Sequence, residues 1–216
     1  MKPFVFWGAT GQASVLKECV SEDFELIALF DNDERAASSL PEVPIFRGLR
    51  GFEKWRAKNR ASDIAFLVAI GGDRGRDRLL IHDLLVEHGL WPATAVHRTS
   101  FVAPDARLGP GCQVLAEAAV CAGAVLGRET IVNTSASVDH QCLIGQGVHI
   151  APGARLAGEV TVGDGTMIGM GAIVLPRVAI GSNVLVGAGS VVLKAVPNDK
   201  IIYGNPARIV RERSKV

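Results

Sequence analysis

At 216 residues the chain is long enough to bury a substantial core, as one large domain or two small ones, without help from metals or disulfides. Its formal net charge of +1 is spread over 23 basic and 22 acidic residues, which excludes a basic stripe for nucleic acid and an acidic solvating tail. Small molecules and further copies of the chain are therefore the expected partners.

The N-terminus, MKPFVFWGATGQ, carries an apolar run of about six residues, against the roughly 20 needed to cross a bilayer. It has no signal-peptide cleavage pattern, so a cytoplasmic protein with no membrane span is expected. From Met1 to about Val96, FVFWGA, ELIALFD, VPIFRG and IAFLVAIGG alternate with the amphipathic stretches SVLKECV and LLIHDLLVEHG. That βαβ rhythm predicts a small open parallel sheet covered by helices over residues 1–97. The first strand runs into Gly8-Ala9-Thr10-Gly11-Gln12, which resembles a Rossmann-like phosphate loop, with amides at a helix start facing an anion. Asp31-Asn32-Asp33 closes the second strand, and Gly71-Gly72-Asp73 with Arg76 follows a later one. Gly8, Thr10, Gly11, Asp31, Asn32, Gly72 and Arg76 are thus candidates for binding a nucleotide, although ordinary polar loops have the same composition.

After His97 the helical signal stops and a repeat begins. Every sixth residue from Val102 to Val192 is aliphatic, sixteen positions without an insertion, and the residue four after each is small or β-branched. Gly109, Gly127, Gly145, Gly163 and Gly181 recur at intervals of 18, or three sixes. The economical reading is a parallel β-helix over residues 98–216: three short strands per coil, about five coils stacked roughly 4.8 Å apart, and glycines where the chain turns sharply. The last segment, IIYGNPARIVRERSKV, breaks the period at Asn205-Pro206 and is expected to form a short capping helix. Cys19, Cys112, Cys121 and Cys142 show no CxxC pair and no His/Cys metal spacing, so no metal is expected and the thiols are read as structural.

The uninterrupted [LIV]-G-x-x-[small]-x array, the segment VNTSASVDHQC at Val132 to Cys142 and the ending YGNPAR together resemble the sialic-acid O-acetyltransferase and bacterial nucleotide-amino-sugar N-acetyltransferase family. The resemblance implies a left-handed β-helix behind a Rossmann-like domain. It also implies a homotrimer that binds acetyl-CoA in the groove between adjacent β-helices and holds a nucleotide sugar partly on the N-terminal domain. Few outward charges on segments such as ASVDHQCLIGQGVHIAPGARLAG give association an independent motive.

The resemblance also assigns roles. His140, two residues beyond an inward aliphatic, matches the general base that takes a proton from the sugar amine or hydroxyl as it attacks the thioester; near-neutral basicity suits that task. Gly158, one coil further on, matches the glycine whose N–H holds the thioester oxygen. Asn133 matches an asparagine near the acceptor amine. Gln141 stands where several members carry an acid, so either it or Asp139 orients the His140 ring. His149 matches a position near the thioester. Met170, Ala188, Lys194 and Arg208 match donor-groove positions, the two cations as phosphate partners. From the residues alone, Asn133 and Gly158 also read as turn residues, His149 as structural, and Lys194 and Arg208 as solvated cations. His82, His88 and His97 carry no such context.

The leading expectation is acetyl-CoA-dependent N-acetylation of a nucleotide-linked amino sugar, of the 4-amino-4,6-dideoxy class. Rivals are O-acetylation of sialic acid or another sugar, the longer-chain acyltransferases of lipid A synthesis, which exceed this length, and a non-catalytic trimeric nucleotide-sugar scaffold. A γ-type carbonic anhydrase would need a third histidine in the repeat beside His140 and His149.

Overall fold

The computed structural model describes residues 1–20, 23–59 and 63–214. The N-terminal unit runs β1 (Lys2–Trp7), α1 (Gly11–Lys17), β2 (Phe24–Asp31), β3 (Ile45–Arg47), α2 (Gly48–Lys58), β4 (Ala65–Val68), α3 (Gly75–Glu87) and β5 (Trp91–Pro92). In the sheet the order is β3-β2-β1-β4-β5, with every pairing parallel. All four residues of β4 are buried, as a central strand of a parallel sheet covered on both faces requires. Helix α2 was hidden from the apolar rhythm because GLRGFEKWRAK buries only Phe52 and Trp55, three apart on an otherwise polar helix. Those two rings join Trp7 and Phe30, with Phe52 5.5 Å from Trp7 and 5.1 Å from Phe30 and Trp55 5.2 Å from Phe30.

From β6 (Ala95–Val96) to β22 (Val191–Val192) the chain is a parallel β-helix of two-residue strands. Three sheets form its faces: the first carries the pairs from Phe101–Val102 to Val191–Val192, the second those from Arg107–Leu108 to Ala179–Ile180, the third those from Ala95–Val96 to Leu185–Val186. Strand partners lie one coil apart, as Val120 with Val138 and Val138 with Leu156. The second residue of each pair points inward, stacking Val120, Val138, Leu156 and Val174 in one column of a common core. Hexapeptide repeats on parallel sheets are consistent with a left-handed β-helix.

One expectation gains a cause and another needs correction. The glycines spaced by 18 do sit at one corner, between the second and third faces, but not in a left-handed conformation, since positive φ falls instead at Gly111, Gly147, Gly153, Gly165 and others. They are required by close approach: a Cβ on Gly127 would lie 2.6 Å from the Gln146 amide nitrogen, and one on Gly145 2.8 Å from that of Asp164. The expected C-terminal capping helix is a β-hairpin. Its first strand, β23 (Lys200–Gly204), pairs in parallel with Leu185–Val186, and the chain turns at Asn205-Pro206 into the antiparallel β24 (Ala207–Glu212). The last coil presents unpaired backbone groups at its edge, which a strand can satisfy and a helix cannot.

The third face docks on the N-terminal unit. Its outward residues Leu115 and Ile131 join Phe4, Ala9 and Leu29 in one apolar cluster, and α3 starts against a corner of the β-helix, where a Cβ on Gly75 would lie 2.0 Å from the Gly147 carbonyl oxygen. Among the described residues no helix is long and apolar enough to cross a membrane.

Candidate active site

The C-terminal ends of β1, β2 and β4 open onto a cleft of about 620 Å³. Of the seven sequence candidates in the N-terminal unit, Gly8, Thr10, Gly11, Asp31 and Asn32 line it. At Gly8, with φ of 114°, a Cβ would sit 2.1 Å from the Ala69 carbonyl oxygen, so only glycine lets β1 end beside β4. The Asp31 carboxylate is held by the Ala9 and Asp33 amides at 3.0 and 2.9 Å. Gly72 and Arg76 lie elsewhere: the Gly72 carbonyl is turned to the β-helix, and Arg76 faces a second cleft with Asp73, Asp164 and Arg213. Gln12 and Asp33, from the same two segments, also line the first cleft, and sequence reasoning missed Arg74. The signal for Arg74 was its place just ahead of the α3 run.

On the β-helix, His140 stands exposed at the corner between first and second faces. The strand register places Gly158 directly beside it, and a Cβ there would fall 2.2 Å from His140 Nε2. The Gly158 carbonyl accepts from the Arg177 amide, while its N–H has no acceptor among the described residues. Asp139 Oδ1 accepts the backbone N–H of His140 at 2.6 Å. Gln141 Oε1 lies 3.4 Å from His140 Nδ1. As an amide oxygen it can only accept, which places the ring proton on Nδ1 and leaves the Nε2 lone pair facing Gly158.

His149, on the third face, is only 4% exposed and uses both ring nitrogens inside the chain. Nδ1 donates to the Gly72 carbonyl at 2.8 Å, which leaves Nε2 to accept from Asn133 Nδ2 at 2.9 Å. Burial holds its pKa down to about 4. The remaining candidates occupy different edges. Met170 and Ala188 stack at the corner between third and first faces, whereas Lys194 falls on the His140 corner and shares a groove of about 470 Å³ with Arg208, beside Leu193 and Ile209. That groove suits a ligand with phosphates and an apolar arm. One chain therefore brings together His140, Gly158 and Gln141, and separately Asn133 and His149, but does not join the two groups.

The other histidines have structural partners. His82 Nδ1 meets Glu129 Oε1 at 2.7 Å in a buried pair, and His88 caps α3 through the Leu84 carbonyl. Burial pushes the thiols of Cys112 and Cys142 up to about 12 and about 11, leaving them unreactive. Among the described residues no group of three or more His, Cys, Asp or Glu could hold a metal.

A family model for the bacterial transferase hexapeptide (six repeats) matches residues 159–194. No curated protein sequence matches. The acetyltransferase domain of PglB from Neisseria gonorrhoeae FA1090, solved with acetyl coenzyme A, is 30% identical; the match covers 97% of this chain and 99% of that one, with a TM-score of 0.84. PerB from Caulobacter crescentus, solved with CoA and GDP-perosamine, is 32% identical over 97% of each chain, with a TM-score of 0.85. WeeI from Acinetobacter baumannii AYE, at 24% identity and a TM-score of 0.83 over 97% of this chain and 100% of that one, shares the fold. With such identity along nearly its whole length, the chain belongs to the hexapeptide-repeat sugar acetyltransferases.

Proposed function

We propose that the protein transfers the acetyl group of acetyl-CoA to the amine of a nucleotide-linked amino sugar, of the 4-amino-4,6-dideoxy class, with His140 as general base. The observation that carries this reading is the apposition of the His140 Nε2 lone pair and the unpaired Gly158 N–H on one corner of the β-helix. Acetyl-CoA supplies an activated thioester. Nε2 accepts the proton that the amine loses as its nitrogen bonds the acyl carbon and the C–S bond breaks, and the same imidazole returns the proton to the departing thiolate. The Gly158 N–H faces the charge that builds on the acyl oxygen. Gln141 fixes the tautomer; being neutral, it stabilises imidazolium less than a carboxylate would.

The N-terminal unit is read as a Rossmann-like domain whose cleft at Gly8, Thr10, Gly11, Asp31 and Asn32 takes the nucleotide, as the GDP-perosamine complex of PerB supports by analogy. Lys194 and Arg208 would meet the phosphates of CoA. The separation of His140 from Asn133, Met170 and Ala188 on different edges favours a homotrimer, in which one copy's His140 edge meets another's Asn133 edge.

The test is CoA-thiol release from acetyl-CoA against UDP-, dTDP- and GDP-linked 4-amino sugars, with sialic acid and its CMP derivative as hydroxyl acceptors. One amino sugar should support release, and His140→Ala should lower turnover by about 10²-fold or more without changing the assembly mass. Unchanged kinetics in the variant would remove His140 from the mechanism; release only with a hydroxyl acceptor would make this an O-acetyltransferase.

A further inference from the structure

Arg78, on α3, is fully buried and touches neither cleft surface, yet its guanidinium reaches five backbone carbonyls. Two belong to the loop between β4 and α3: Ile70 at 3.3 Å and Gly72 at 3.4 Å. Three belong to the β-helix: Glu129 at 3.0 Å, Gly147 at 2.8 Å and Val148 at 3.3 Å. The Gly72 carbonyl is gripped a second time, by His149 Nδ1, and the chain of bonds runs on to Asn133. The same loop supplies Ile70, Gly71 and Arg74 to the wall of the N-terminal cleft. A planar fork with several fixed donors holds the loop at two points and the β-helix at three, which a point charge cannot do.

We propose that Arg78 is a positioning residue for the acceptor substrate, fixing the Gly71–Arg74 wall of the cleft in register with the third face of the β-helix. The proposal rests on the reading of that cleft as the nucleotide site. Its competitor is that Arg78 only glues the two halves together. The Asp83–Arg128 ion pair separates the two ideas, because it joins α3 to the same β-helix corner without touching the loop.

The experiment titrates CoA, GDP, UDP and dTDP, each alone, into the 216-residue protein by calorimetry, for wild type, Arg78→Lys, Arg78→Met and Asp83→Asn. Both Arg78 variants should weaken whichever nucleotide the wild type binds by about tenfold or more and leave CoA within about twofold, while Asp83→Asn leaves both within about twofold. Lysine keeps the charge and loses the fork, so it carries the test if Arg78→Met does not fold. Should neither fold, His149→Phe, which cannot donate to the Gly72 carbonyl, should weaken the nucleotide. Nucleotide binding unchanged in the folded Arg78 variants, or in His149→Phe where that variant carries the test, or weakened equally in Asp83→Asn, overturns the proposal. A wild type that binds CoA and none of the three nucleotides removes the reading of the cleft itself, and is recognised before any variant is made.

Discussion

In the N-terminal unit, Trp7, Phe30, Phe52 and Trp55 from two strands and a helix meet in one aromatic cluster, whereas among the described residues the β-helix core contains no aromatic ring. The first core is a single assembly of large side chains that come from distant segments and depend on one another. The second is a column of small aliphatic residues, each stacked on neighbours 18 positions away. A stack answers to its worst layer, because a defect cannot be spread over a wide contact area; a cluster answers to lost volume.

The largest effect expected from that contrast is Val138→Asp. A carboxylate would enter a column of aliphatic side chains with no partner, costing more than about 5 kcal/mol and preventing a cooperative thermal transition of the β-helix. A normal melting curve would show that the column opens to water. Next, Phe30→Ala should cost about 3–5 kcal/mol by denaturant unfolding, and Val120→Ala about 1–2 kcal/mol. Equal losses would abolish the distinction between cluster and stack.

The two kinds of corner glycine sharpen the comparison further. Gly145→Ala should cost about 1–3 kcal/mol, because the added carbon meets the backbone of the next coil. At Gly153 there is open space but φ is +67°, so alanine should cost about 1 kcal/mol, and asparagine, which tolerates that conformation, should restore most of it. Rescue by asparagine at Gly145 would contradict the close-approach account. The last effect is a pH dependence. The folded-state pKa of His149, about 4, lies below its ordinary value near 6.5, so the unfolded chain binds more protons between those values. Its contribution is fully present above about pH 6.5 and is lost as pH falls towards about 4. His149→Gln should flatten the fall in melting temperature across that window.

How far the sequence foretold this molecule follows the same division. The β-helix was legible because its period is local: the inward aliphatic columns and the pairing of His140 with Gly158 follow from counting sixes and eighteens. Spacing told where the glycines recur but not why, since close approach and a left-handed turn leave the same trace in one dimension. The C-terminal hairpin was misread because the period ends there and a Pro-containing break looks alike before a helix or a strand. Contacts across the two halves were invisible. Gln12 reaches Gln113 across 101 positions and His149 reaches Gly72 across 77, with no periodicity to betray either. Arg78, one residue ahead of the amphipathic stretch LLIHDLLVEHG, carries no signal in the sequence, and only its burial and partners reveal its task.

The apposition of His140 and Gly158 depends on the winding between them being one complete turn. Six residues inserted in that interval would keep every aliphatic position pointing inward and every later strand on some face, yet would rotate the rest of the β-helix by a third of a turn. The coils would still wind regularly, with His140 facing the wrong neighbour. Inside the site the length therefore cannot vary at all, since even a whole inserted coil would put another residue between His140 and Gly158, while beyond it the winding carries no such constraint from this pair. The β-helix thus has a reading frame of its own, and a frameshift at this corner would leave the winding regular while separating the pair.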